Sequence, residues 1–226
     1  MTDPSSHAPV FTLPSGVVDA WYVALDVPLE ERLELTEPLE RDELEHWSRM
    51  RMDGDRWAVA HGARRQLLAA YLGVSASELR FERGAFGKPK LATHTALRFS
   101  ASSRGGLALI AISSGIELGA DLEREDTASD PERVAREFLS PLEQSALAAV
   151  PVERYRHAFA LAWARHEAHR KLLGTGLGEP LPAVRGLAPL LVRNITAPEG
   201  HAAAIAAQAG DWSVRVREFT REASIR

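Results

Sequence analysis

Asp121 and Glu123 stand one residue apart, and further along the chain Trp163, Glu167 and Lys171 recur at four-residue steps. The first pair ends an apolar segment of strand character, and a strand's period of two turns both carboxylates to one face. The stretch Phe159–Leu173 reads as a helix, in which positions four apart drift by only about 40° and share a face. Acidic oxygens converging from a strand and a helix suit a hard divalent cation. Mg²⁺ in particular takes few carboxylates and leaves coordination positions for substrate phosphates. A lysine one helical turn beyond the third carboxylate would lie where phosphate charge develops. These residues predict phosphate-handling chemistry on a metal.

Simpler readings of the same residues exist. Asp121 and Glu123 run into Arg124-Glu125-Asp126, as a solvated acidic turn would. Glu167 and Lys171 could be a surface pair worth only ~0.3–0.5 kcal/mol. Trp163 on their face argues against full exposure. His166-Glu167-Ala168-His169 is one residue short of the zinc-protease spacing H-E-x-x-H, so zinc is rejected. There is no G-x-S-x-G elbow and no Walker loop.

The elements that must position these groups follow from pattern and punctuation. Val17–Val27 alternates as a strand, and acidic, helix-favouring residues follow from Leu29 to Trp47. A helix over Asp55–Leu72 stops at Gly73. Leu79–Arg83 is a short strand, and Gly84-Ala85-Phe86-Gly87-Lys88-Pro89 breaks regular structure. Leu97–Ala101, Leu107–Ser113 and Gly115–Glu123 are expected to form an antiparallel meander. A helix over Pro131–Phe138 precedes Ser140-Pro141-Leu142-Glu143, a capping box with proline at the first helical position. Gly174-Thr175-Gly176-Leu177-Gly178 ends the long helix, and Ala202–Ala207 and Trp212–Phe219 read as two more strands. The order strand–helices–strands, then helices–strands, predicts an α+β protein of two comparable halves.

The whole chain narrows the function classes. Its 226 residues can bury a substantial core, and 45% hydrophobic and 26% charged residues are ordinary for a globular protein. Net charge of −4 argues against broad nucleic-acid binding. Positive charge is locally dense, with Arg49, Arg51, Arg56, Arg64 and Arg65 in one stretch. Arginine is the residue best shaped for bidentate phosphate or carboxylate contacts. Cysteine is absent, which excludes thiolate metal sites and fits a reducing compartment. Met1–Val10 has neither a basic stretch nor an apolar core, and no apolar run approaches a membrane span. A cytoplasmic protein without membrane association is expected.

Taken in order, several segments resemble the phosphopantetheinyl transferases of the Sfp type. They are Phe86-Gly87-Lys88-Pro89, Phe99-Ser100-Ala101-Ser102-Ser103, Gly119-Ala120-Asp121-Leu122-Glu123, Phe138-Leu139-Ser140-Pro141-Leu142-Glu143, and Trp163-Ala164-Arg165-His166-Glu167-Ala168-His169-Arg170-Lys171 before Gly174-Thr175-Gly176-Leu177. The resemblance runs from about Val17 to the C-terminus. It implies an α+β fold of two similar halves, 1–113 and 114–226, in a pseudo-twofold arrangement, with coenzyme A between them. It implies transfer of the 4′-phosphopantetheine arm of coenzyme A to a serine of an acyl or peptidyl carrier protein, with release of 3′,5′-ADP. Mg²⁺ would be held by Asp121, Glu123 and Glu167, with Glu167 helping to remove the serine proton and Lys171 stabilising the leaving group. The implied coenzyme A-binding set is Lys88, Pro89, Ser102, Ser103, Arg104 and Lys171, to which the arginine-rich stretch adds Arg49 and Arg56 as expected phosphate contacts. A monomer serving secondary-metabolite biosynthesis completes the expectation.

The chain departs from the family pattern F-N-[I/L]-S-H-[S/T], carrying Ser100 for the asparagine, Ser103 for the histidine and Arg104 at the last position. In the family that histidine contacts the 3′-phosphate of coenzyme A. Loss of a hydrogen bond to a charged group costs roughly 1.5–3 kcal/mol. Arg104 beside it is expected to restore the contact. In the helical motif His166 stands for the common lysine and Ala164 for threonine. Two rivals remain beside the transferase: a relative that holds coenzyme A or a carrier protein without transferring, and another Mg²⁺-dependent phosphoryl or nucleotidyl transferase.

Overall fold

The structure, a computed structural model, describes residues 10–84, 87–126, 128–175, 190–208 and 210–220. Met1–Pro9, Phe86 of the Gly-Lys-Pro turn and Gly176, Leu177 and Gly178 after the long helix lie outside the described residues.

Strand β1 (Val17–Ala24) leads into three helices, α1 (Leu29–Thr36), α2 (Arg41–Arg49) and α3 (Gly54–Leu72). The acidic stretch after β1 is therefore two helices, and Pro38, which cannot donate to a helical ladder, lies in the break. A short hairpin of β2 (Phe81–Arg83) and β3 (Pro89–Leu91) precedes β4 (Leu97–Arg104) and β5 (Leu107–Ser114). The second part repeats the plan: β6 (Leu118–Arg124), helices α4 (Pro131–Phe138), α5 (Pro141–Ala148) and α6 (Val152–Leu173), then β7 (Leu190–Ile195) and β8 (His201–Gln208). Strand β9 (Ser213–Glu218) comes last.

One sheet has the order β4-β5-β1-β9 and the other β6-β8-β7. The antiparallel sets β1-β5-β4 and β6-β8-β7 share one strand order, with the first strand of each part beside its last. The expected meander of three consecutive strands does not form. Strand β5 has β4 on one edge and β1 on the other, so no edge is left for β6, which pairs with β8 in the second sheet. Strand β9 adds in parallel to the outer edge of β1.

Alternation along the strands makes the layers. Trp21 and Val23 of β1 and Ile110 and Ile112 of β5 pack with Val59, Leu67 and Leu68 of α3. The other faces, with Val18, Ala20, Tyr22, Leu109 and Ala111, meet Leu118, Ala120, Leu122, Ala203 and Ile205 of the second sheet. Helix α6 covers the far side of that sheet, where Ala164 and Ala168 lie on Ala204 and Ala206. The result is helix, sheet, sheet, helix, an α+β architecture. Among the described residues no helix is long and apolar enough to cross a membrane.

Candidate active site

Period two in β6 sends Leu118, Ala120 and Leu122 into the inter-sheet core, which leaves Gly119, Asp121 and Glu123 facing α6. Gly119 is what lets the helix come down. A Cβ there would stand 2.1 Å from the Ala168 carbonyl oxygen and 2.3 Å from the Leu172 amide nitrogen. The alanines of α6 and β8 remove side-chain bulk across the same contact. At the N-terminal side of the site, Trp163 stacks on Phe159 and meets Phe138 edge-on, tying α6 to α4. Gly174, in the left-handed region at φ 67°, stops α6 just beyond Lys171.

The close approach brings Lys171 Nζ to 2.6 Å from Asp121 Oδ1. Ser102 Oγ, reaching across from β4, donates to the same oxygen at 2.8 Å. Arg104 holds Glu123 with both arms, Nε to Oε2 at 2.9 Å and Nη2 to Oε1 at 2.6 Å. Asp121 and Glu123 are only 3% and 4% exposed. Asp121 Oδ2 and Glu167 Oε1 are buried with no hydrogen-bond partner. Burial first, and the nearby Asp121 charge second, push the Glu167 carboxyl above its ordinary range. Burial also raises that of Glu123, against the opposing pull of Arg104.

Two orphaned, buried carboxylate oxygens on facing elements suit a hard cation that takes oxygen ligands. Asp121 and Glu167 therefore fit Mg²⁺, whereas Glu123 is already committed to Arg104. Among the described residues no three acidic or imidazole side chains gather as a ready metal shell.

Ser102 and Lys171 also line a cavity of about 620 Å³, within the range of small-molecule and cofactor sites. Arg49, Lys88, Pro89 and Ser103 share its wall. Lys88 Nζ donates to the Leu118 carbonyl at 2.8 Å, and burial lowers its pKa. Arg56 does not join them: its guanidinium is spent on Asp26 and Asp53. Arg104 is likewise turned to Glu123 and not to the cavity.

Sequence reasoning missed the cavity's aromatic wall. His61 stacks on Trp57 at 3.7 Å between ring centres, and His46 meets the same Trp57 ring system at 4.9 Å. Burial, aided by Arg64, lowers the His61 pKa to about 3. The four-residue step from Trp57 to His61 was the available signal, since it puts both rings on one helix face.

The molecule is thus an α+β protein with a charged centre at the edge of a ligand-sized cavity. Comparison with known proteins gives it a family. The model of the 4′-phosphopantetheinyl transferase superfamily matches residues 117–221. The 4′-phosphopantetheinyl transferase HetI of Nostoc sp. is 32% identical over 176 residues, covering 76% of this chain and 74% of that protein. A putative 4′-phosphopantetheinyl transferase of Synechocystis sp. is 29% identical over 134 residues, covering 58% and 54%. The chain belongs to the 4′-phosphopantetheinyl transferase superfamily.

Proposed function

We propose that the protein transfers the 4′-phosphopantetheine arm of coenzyme A to a serine of an acyl or peptidyl carrier protein, with Mg²⁺, releasing 3′,5′-ADP. The observation that carries this reading is the meeting of Asp121, Glu167 and Lys171 beside a cavity also lined by Lys88, Ser102 and Ser103. Attack on a pyrophosphate phosphorus needs alignment and neutralised oxygen charge more than covalent help from the protein.

Asp121 and Glu167 would hold Mg²⁺, which when bound supplies Lewis-acid neutralisation of phosphate oxygens. The remaining roles fall to side chains. Glu167, whose carboxyl pKa is raised by burial, helps to take up the serine proton. The serine oxygen forms its bond to phosphorus as the pyrophosphate P–O bond breaks, and 3′,5′-ADP carries away the electron pair. Lys171, oriented by Asp121, meets the negative charge on the leaving phosphate. Lys88, Ser102, Ser103 and Arg49 bind the nucleotide end. We assign the reaction to a cytoplasmic monomer serving secondary-metabolite biosynthesis.

The test is 3′,5′-ADP release from coenzyme A in the presence of an apo carrier protein. Glu167→Gln and Lys171→Ala should each lower kcat by roughly 10²–10⁴-fold, the usual worth of a positioned proton acceptor or charge. Wild-type turnover in both variants would remove the two residues from the chemistry.

A further inference from the structure

The acidic centre carries more compensation than three carboxylates awaiting a metal would need. Arg104 takes both oxygens of Glu123 in a fork-to-fork pair. Lys171 and Ser102 take Oδ1 of Asp121. Among the described residues, the carboxylate oxygens of this centre that are buried without a hydrogen-bond partner are Asp121 Oδ2 and Glu167 Oε1, and Asp121 is 3% exposed.

We propose that Arg104 is a built-in counter-cation that withholds Glu123 from divalent metal, leaving a two-carboxylate site of Asp121 and Glu167. This rests on the reading of the centre as a metal site given above. Arginine stays charged at every pH the protein meets, and its planar fork matches a carboxylate at both oxygens. A divalent cation approaching Glu123 must displace that fork or share the carboxylate with a like charge. Arg104 is itself partly open to solvent, so its neutral replacement can be made without emptying a core position. Affinity of an oxygen site for a hard cation rises with the number of charged ligands. Removing Arg104 therefore adds a ligand and should tighten the site. Removing Arg104 and Glu123 together takes away a matched pair and should change little. The arrangement also explains why the chain has arginine where a small hydroxyl residue would leave Glu123 open. Arg104 acts here as a positioning residue that sets metal affinity.

The experiment is titration of the full-length protein with Mn²⁺, followed by the electron paramagnetic resonance signal of the free ion, with Mg²⁺ as competitor. No coenzyme A or carrier protein is present. Arg104→Ser should tighten Mn²⁺ binding by about tenfold or more, and Arg104→Gln should do the same if the serine variant folds poorly. Arg104→Gln/Glu123→Gln should stay within about threefold of wild type. Glu123→Gln in the Arg104→Ser background should lose the gain. Asp121→Asn and Glu167→Gln should each weaken binding by about tenfold or more in either background. Unchanged or weaker binding in both Arg104 variants would overturn the proposal, as would absence of Mn²⁺ binding throughout. A protein that binds Mn²⁺ as described yet transfers nothing would overturn the transferase reading alone.

Discussion

Replacing Gly119 with alanine should push α6 off β6 and uncouple the charged centre. The new Cβ would lie 2.1 Å from the Ala168 carbonyl oxygen and 2.3 Å from the Leu172 amide nitrogen, where ordinary contact begins at 3.4 Å. Both obstructing atoms are backbone, so no side chain can swing aside. The helix must retreat by about 1.3 Å to reach van der Waals distance. That movement would open the Lys171–Asp121 contact from 2.6 Å toward about 4 Å, beyond hydrogen-bond reach. Overpacking of this kind costs about 1–3 kcal/mol, larger than the ~0.4–1 kcal/mol that alanine recovers by restricting the unfolded chain. For a chain of this size the net loss, up to about 2.6 kcal/mol, corresponds to a Tm lower by up to roughly 10 °C. Displacement of a positioning group by about 1 Å can cost on the order of 10²-fold in rate. Differential scanning fluorimetry and carrier-protein modification at saturating coenzyme A measure the two effects on one preparation. A Gly119→Ala protein with wild-type Tm and wild-type turnover would refute the claim that close helix–strand packing builds the centre.

His61 should make the protein acid-sensitive. Its folded pKa of about 3 lies below the ordinary 6.5, so its contribution is present above 6.5 and is lost as pH falls toward 3. Urea denaturation should show up to roughly 3 kcal/mol of that loss removed in His61→Gln, and identical pH profiles would contradict the assignment. Asp19 is fully buried and is held by Arg215 at 2.6 and 2.8 Å and by the Tyr71 hydroxyl. Arg215→Ala leaves that carboxylate with only the more distant Arg217, at 3.5 Å, as its cation and should cost about 2–3 kcal/mol in urea denaturation, with no loss if the β1–β9 edge is held by backbone bonds alone. Conversely, Arg56→Ala should leave the apparent KM for coenzyme A unchanged, because Arg56 is bound to Asp26 and Asp53 outside the cavity wall. A clear rise in KM would return it to the binding set.

The sequence was most readable where one period dominated. The alternation in Gly119–Glu123 separated the residues facing α6 from Leu118, Ala120 and Leu122, and the four-residue steps of α6 aligned Glu167 with Lys171. Helix ends were readable because Gly73, Gly174 and the Ser140–Glu143 box are local signals. Strand pairing was not. Whether β6 joins β5 or β8 depends on which edges are already filled, a property of the assembled sheet. The same limit applied to charge. Residue type marked Arg56 and Arg104 as phosphate ligands, but only the fold brings Asp26 to one and Glu123 to the other. Gly119 was visible as part of a motif, while its role as the gap that admits α6 needed the packed helix.

The most direct test of the central claim is intact mass spectrometry of apo carrier proteins incubated with this protein, coenzyme A and Mg²⁺. The account predicts a gain of one phosphopantetheinyl arm that is lost when Mg²⁺ is removed or Glu167 is changed to glutamine. No gain on fatty-acid, polyketide or peptide carriers, from a protein that measurably binds coenzyme A, would contradict it.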